Sequence, residues 1–283
     1  MKKYGFAVIF IILLIGLSFK YTHQKPKVTT ILKKTGTMIA LGDSVAAGVG
    51  LRDASDSSAC NRTNESYANL VSENLHYDMT NLACSGATIS LGLSGSQTVN
   101  NLPLPTQLDA LFAIPSPKLI TLTIGANDAG WIQAISKCYT GICGTDADTT
   151  TVNARLATVT TDLRAALQQI NEHYSGTKPT VIVTGYYQLF PAAVIADCNE
   201  EKGIDGGEVS WIRSQIVAIS SAVKAALPNQ PNIKFVEPDF TGHELCTAEP
   251  WVQGLGEPQL YHPTAKGQVA LAKIIETEVS SNQ

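Results

Sequence analysis

Four short apolar runs, each stopped by a glycine or a proline, constrain this chain more than any other feature. Thr37 to Leu41 runs into Gly42, Leu119 to Ile124 into Gly125, Thr180 to Thr184 into Gly185, and Ile233 to Val236 towards Pro238. Apolar runs of this length without polar alternation read as strands buried on both faces. Met79 to Ala83 is a weaker candidate of the same kind. Between the runs the apolar period changes to steps of three and four. Leu156, Val159, Leu163, Leu167 and Ile170 follow it, as do Ile212, Ile216, Ile219, Val223 and Leu227. That spacing lines one face of a helix. A last helix is expected from about Thr264 to Val279, with Ala265, Val269, Ala272 and Ile275 inward. Strands alternating with helices imply right-handed βαβ units, hence an α/β fold with a parallel sheet. No linker-like stretch divides residues 36 to 283, so they read as one domain. Gly141 to Thr151 reads as a surface loop.

The first 35 residues read differently. Met1-Lys2-Lys3 carries positive charge, and Phe6 to Phe19 carries none. This apolar run is short for a spanning helix, which needs roughly 20 residues, and suits the core of a signal peptide. No small-residue cleavage site follows. Residues 1–35 are therefore expected to be a signal peptide, or an N-terminal membrane anchor, with Lys20 to Lys34 as a tether. Either way the domain is secreted or held at the cell surface. The six cysteines agree, because an even count in an exported chain suggests disulfides. Spacing does not choose among the possible connectivities. Neighbour pairing is the expectation: Cys60 with Cys84, Cys138 with Cys143, Cys198 with Cys246. No C-x-x-C occurs, so a structural zinc site is disfavoured. With 44% hydrophobic and 16% charged residues the composition is that of an ordinary globular chain. A net charge of -4 argues against a general affinity for nucleic acid. A monomer is expected.

In an open α/β sheet, ligands bind beyond the carboxyl ends of the strands. Gly42-Asp43-Ser44 follows the first strand and Cys84-Ser85-Gly86 the weak one. Gly125-Ala126-Asn127-Asp128 follows the Leu119 strand, and Tyr261-His262-Pro263 precedes the last helix. Four segments thus deliver a serine, a glycine, an asparagine and a histidine to one edge. A serine hydroxyl becomes a useful nucleophile only beside a base, usually histidine. Attack on an ester carbonyl puts charge on its oxygen, and each preorganised donor there is worth roughly 3–4 kcal/mol in the transition state. Gly86 N–H, the Asn127 amide and Ser44 N–H, at a helix N-terminus, supply such donors.

These residues resemble the SGNH hydrolases, also called GDSL esterases and lipases. The resemblance covers most of residues 37 to 275. It rests on Gly42-Asp43-Ser44-Val45 with Gly48, Ser85-Gly86-Ala87, Gly125-Ala126-Asn127-Asp128, and His262-Pro263 with Gly267. It implies that Ser44 is the nucleophile, His262 the base, and Gly86 and Asn127 oxyanion donors. It also implies a single three-layer α/β/α domain with a flavodoxin-like sheet. The cysteine layout and Ala83-Cys84-Ser85-Gly86-Ala87 look like the secreted branch of actinobacterial lipases and phospholipases.

One position departs from the family. Many members carry an aspartate three residues before the histidine, where this chain has Gln259. Some relatives in the secreted branch lack that carboxylate and hold the imidazole by a main-chain carbonyl. A Ser44–His262 dyad is therefore expected, with the Gln259 carbonyl bonded to His262 Nδ1. Glu257 is the less favoured substitute. Asp43 and Asp128 read as structural hydrogen-bonding groups, and Trp131 fits either an acyl pocket or the core. His243-Glu244 reads as loop rather than metal site. The expected activity is hydrolysis of carboxylic acyl esters, tilted towards lipid esters, with no metal or organic cofactor. The alternatives are a polysaccharide O-acetylesterase and a non-catalytic surface binding protein on the same fold.

Overall fold

The computed structural model describes residues 34–51, 59–193, 195, 198–199 and 201–281. The apolar run Phe6 to Phe19 lies outside the described residues. In chain order the elements are β1 (Gly36–Gly42), α1 (Ser44–Ala47), α2 (Tyr67–Asn74), β2 (Tyr77–Asn81), β3 (Gln97–Val99) and β4 (Leu102–Leu104). There follow α3 (Gln107–Phe112), β5 (Leu119–Thr123), α4 (Ala126–Ala129), α5 (Trp131–Thr140) and α6 (Asp146–His173). The chain continues through β6 (Thr180–Thr184), α7 (Gly206–Ala226), β7 (Ile233–Val236) and α8 (Ala265–Ser280).

Five strands pair in parallel in the order β2-β1-β5-β6-β7. Counting only these five, the order is 2-1-3-4-5, that of a flavodoxin-like sheet. The pleat divides the core in two. Met38, Ala40 and Ile182 join one buried cluster with Tyr67, Val71, Leu271 and Ile275 of α2 and α8. Ile39, Leu41, Ile120, Val181 and Val183 join the other, with Leu108, Leu163, Leu167 and Val223 of α3, α6 and α7. Helices cover both faces, so the inner strands β1, β5 and β6 are buried along most of their length, and the domain is a three-layer α/β/α sandwich. Each fully buried Leu or Ile contributes roughly 1.5–3 kcal/mol.

Three local expectations shift. The edge strand is Tyr77–Asn81, two residues earlier than Met79 to Ala83, because its half-exposed alternation hides it among polar neighbours. In α8 the inward residues are Gln268, Leu271, Ala272, Ile275 and Val279, whereas Ala265 is exposed and Val269 is 55% exposed. The Gly141 to Thr151 segment is loop only as far as Thr145. There a capping box with Asp148 starts α6, which supplies the carboxylate its first turn favours. The disulfides are Cys60–Cys84, Cys138–Cys143 and Cys198–Cys246.

Candidate active site

The turn out of β1 begins with a residue that only glycine can be. Gly42 has φ +129, and a Cβ there would stand 2.1 Å from Thr123 O of β5. Its N–H donates to Gln107 Oε1 at 2.7 Å, and its carbonyl accepts from Gln107 Nε2 at 2.9 Å. Asp43 caps α1, so Ser44 is the first helical residue rather than the cap. With four residues, α1 is too short for a large dipole, and what it offers is the N–H of Ser44. No hydrogen bond engages Ser44 N–H or Gly86 N–H among the described residues.

Asp43 is buried, as the structural reading of it requires. Its Oδ1 accepts from Val45 N–H at 2.9 Å and its Oδ2 from the Tyr186 hydroxyl at 2.6 Å. Burial pushes its carboxyl up to about 7, although Tyr186 and Val45 hold it down. The Tyr186 hydroxyl also accepts from Ala126 N–H at 3.1 Å, so one phenol ties the serine turn to the asparagine turn. Gln268 adds a further tie, accepting from Tyr67 N–H at 2.7 Å and donating to Val45 O at 3.1 Å.

His262 comes from the segment between β7 and α8. Its Nε2 lies 2.7 Å from Ser44 Oγ. Its Nδ1 lies 3.1 Å from Leu260 O, and the Gln259 carbonyl also favours its protonated form. The sequence pointed to Gln259, but the carbonyl hydrogen-bonded to Nδ1 is that of Leu260, and Gln259 O accepts from His262 N–H at 3.2 Å. A carbonyl only accepts, so Nδ1 carries the proton and Nε2 turns its lone pair to the serine. Burial holds the imidazole below its usual range, partly offset by those carbonyls. Glu257 accepts from Gly254 N–H at 2.6 Å, which shapes the loop. Gln253, 2% exposed, closes the segment. Its Nε2 donates to Val49 O at 3.2 Å and Pro263 O at 2.9 Å, and its Oε1 accepts from Gln259 N–H at 3.1 Å.

Asn127 lies in α4, at the end of β5, and donates one Nδ2 hydrogen to Ala87 O at 2.9 Å. An amide nitrogen has two hydrogens, so a second remains. Asp128 Oδ1 accepts from Ile89 N–H at 2.9 Å, which draws the 85–89 segment onto the asparagine turn. Cys84 and its disulfide precede that segment directly. Ser44, Asn127 and His262 line a pocket whose remaining walls are largely apolar. Trp131, Leu189, Ile216 and Ile219 contribute to them. Trp131 lines this pocket and also packs edge-on against Tyr261, with ring centroids 5.9 Å apart.

His243 stacks on Trp251, with ring centroids 3.7 Å apart, and Glu244 accepts from Gly242 N–H at 2.7 Å. No group of three or more metal-ligating side chains occurs among the described residues, nor any helix long and apolar enough to cross a membrane. Sequence reasoning missed Tyr186, Gln107, Gln253 and Gln268. The strand-end rule that picked out Asn127 also covers Tyr186, which follows Gly185 at the end of β6. No local pattern marks the glutamines.

A serine hydroxyl bonded to an imidazole, between a glycine turn and an asparagine at the carboxyl edge of a parallel sheet, fits the class of ester hydrolases. Within it, the chain belongs to the GDSL-like Lipase/Acylhydrolase family, whose profile matches residues 40–270. It is 29% identical over 241 residues to a lipase of Streptomyces rimosus, an overlap covering 81% of each chain. The fold is similar to that of phospholipase A1 from Streptomyces albidoflavus NA297. The TM-score is 0.67 at 25% identity, over 86% of this chain and 98% of that one. An extracellular lipase of Streptomyces rimosus is similar with TM-score 0.62 at 25% identity, over 86% and 99% of the two chains.

Proposed function

We propose that Ser44 and His262 are the catalytic dyad of this ester hydrolase, with Ser44 N–H, Gly86 N–H and the Asn127 amide as oxyanion donors. The observation that carries this reading is the 2.7 Å contact between Ser44 Oγ and His262 Nε2 at an apolar pocket. His262 Nε2 takes the hydroxyl proton as Ser44 Oγ attacks the ester carbonyl. The imidazolium is stabilised by the Leu260 and Gln259 carbonyls in place of a carboxylate. His262 then protonates the leaving alcohol, and a water activated by the same nitrogen releases the acid. The pocket walls suit a hydrocarbon acyl chain, so lipid-type esters are the substrate class.

The three disulfides support secretion, since such bonds persist in oxidising compartments. So does the similarity to an extracellular lipase. Residues 1–35 then act as the export segment and residues 36–283 as the enzyme. Retention of Phe6 to Phe19 makes the enzyme surface-anchored, and the mass of the mature protein decides between the two.

A fluorophosphonate probe tests the site. It labels Ser44 in the parent and nothing in Ser44→Ala. Folded parent protein that takes no label points instead to a binding protein. A chain-length series of p-nitrophenyl esters beside an acetylated polysaccharide tests the substrate class. Longer acyl chains are expected to be preferred, and acetate release from polysaccharide alone points to the O-acetylesterase.

A further inference from the structure

The Ser85–Gly86 peptide is the centre of a tight turn. Ala87 N–H donates to Cys84 O at 3.1 Å across it, and Gly86 has φ +76. A positive φ at the third position is the mark of a type II turn, whose central peptide is turned over relative to type I. The C=O and N–H of a trans peptide point in opposite directions. Whatever fixes Ser85 O therefore fixes the direction of Gly86 N–H.

Gln97 of β3 does this. Its Nε2 donates to Ser85 O at 2.8 Å. The other ties of the segment hold its neighbouring peptides. Ser85 N–H goes to Cys60 O at 3.1 Å, and Ala87 O accepts from Asn127 at 2.9 Å. Glycine resists rotation of the central peptide little. A Cβ added at Gly86 would meet only Gln97 Nε2, at 3.7 Å, so Gln97 is the side chain that stands against this turn.

We propose that Gln97 is a positioning residue for the oxyanion site: its hydrogen bond to Ser85 O aims Gly86 N–H and polarises it through the shared peptide. The polarisation follows because a peptide whose oxygen accepts a hydrogen bond becomes a better donor at nitrogen. This gives the β3–β4 hairpin, which lies outside the main sheet, a part in the chemistry. The inference rests on Gly86 N–H being an oxyanion donor for Ser44.

The test compares Gln97→Ala and Gln97→Glu with the parent. Glu keeps the shape of the side chain but sets an oxygen against Ser85 O, so the test does not depend on the truncated variant folding. Misplacing a reacting group by about 1 Å can cost about a hundredfold, so kcat should fall about ten- to a hundredfold with KM within about twofold. Glu should lose more than Ala. Affinity for an alkyl boronic acid, which forms a tetrahedral adduct on the serine, should fall in step with kcat, which a role in packing alone does not require. A kcat within about twofold of the parent in folded Gln97→Glu overturns the proposal. So does a loss carried by KM with boronate affinity intact. Turnover that persists in Ser44→Ala overturns the underlying dyad reading. Turnover that needs Ser44 but ignores Gln97 overturns only the positioning role of Gln97.

Discussion

Ser44 and His262 meet at 2.7 Å, yet the segments that carry them are built in contrasting ways. Ser44 stands between a buried strand and a helix. Its turn is tied to α3 by Gln107, to α8 by Gln268 and to the β6 end by the Asp43–Tyr186 bond. His262 stands in the irregular segment between β7 and α8. There a single glutamine, Gln253, bonds Val49, Gln259 and Pro263. Tyr261 beside it has φ +69, and its carbonyl accepts from the Tyr187 hydroxyl at 2.9 Å. One side of the dyad is held redundantly by several elements, the other by few side chains and its own backbone. The proposed nucleophile should therefore tolerate the loss of one tie, and the proposed base should not.

The largest effect expected is on the proposed nucleophile itself. Ser44→Ala should lower kcat by about 10⁴-fold or more, since only donors and binding remain. Melting temperature should stay near that of the parent, because Ser44 supports none of the ties. Gln253→Leu comes next. It orphans Gln259 N–H, Val49 O and Pro263 O, and each buried orphan costs about 1–3 kcal/mol. Denaturant unfolding should show a loss of about 3 kcal/mol, with kcat down about a hundredfold as the imidazole moves. The matching change on the other side, Gln268→Leu, should lose comparable stability with kcat within about tenfold. Equal losses of kcat in the two would erase the contrast.

Asp43 sharpens the comparison through pH. Its carboxyl rises from 3.8 to about 7 on folding, chiefly because it is buried. Its contribution is fully present below the unfolded value and is lost as pH climbs through the folded one. Melting of the parent should therefore weaken across that window, and Asp43→Asn should lack the slope. Scans from about pH 4 to about pH 8 read this directly. His262 moves the other way, its proton affinity lowered by burial. The acid limb of kcat/KM should accordingly have its midpoint below the ordinary histidine value of 6.5. A midpoint above it would mean that a carboxylate acts on the imidazole. The smallest effect belongs to Gln259→Ala. The side chain is exposed and only its carbonyl reaches His262, so stability should change by no more than about 0.5 kcal/mol. A large drop in kcat there would sink the carbonyl-oriented dyad.

The same contrast explains what could be read from the chain. Met38 to Leu41 is apolar throughout, and Leu119 to Thr123 is buried throughout with threonine its only polar type, so the sheet and the residues at its ends were legible. β2 was displaced by two positions because an edge strand covered on one side alternates with polar residues. Ala265 and Val269 obey a helical period but face out, since period gives a face and not which layer it meets. The nucleophile turn, Gly86 and Asn127 follow from strand ends. Gln97, Gln107, Gln253 and Gln268 do not, because glutamine is by default a surface residue. Only the three-dimensional course of backbone far away in sequence makes a buried amide useful.

The bond pair between Gln107 and Gly42 has a further meaning for how the sheet ends. A primary amide presents one carbonyl and one N–H side by side, as one residue of an adjoining antiparallel strand presents its own N–H and C=O. Gln107 thus takes the place of one such residue, beside Cys84 N–H, which also donates to Gly42 O at 3.0 Å. A real strand would continue past Gly42 and wall off whatever came after it. A surrogate carried on a side chain is one rung long, so it adds nothing beyond Gly42, where the chain turns: Asp43 and Val45 go inward, and Ser44 between them lines the pocket.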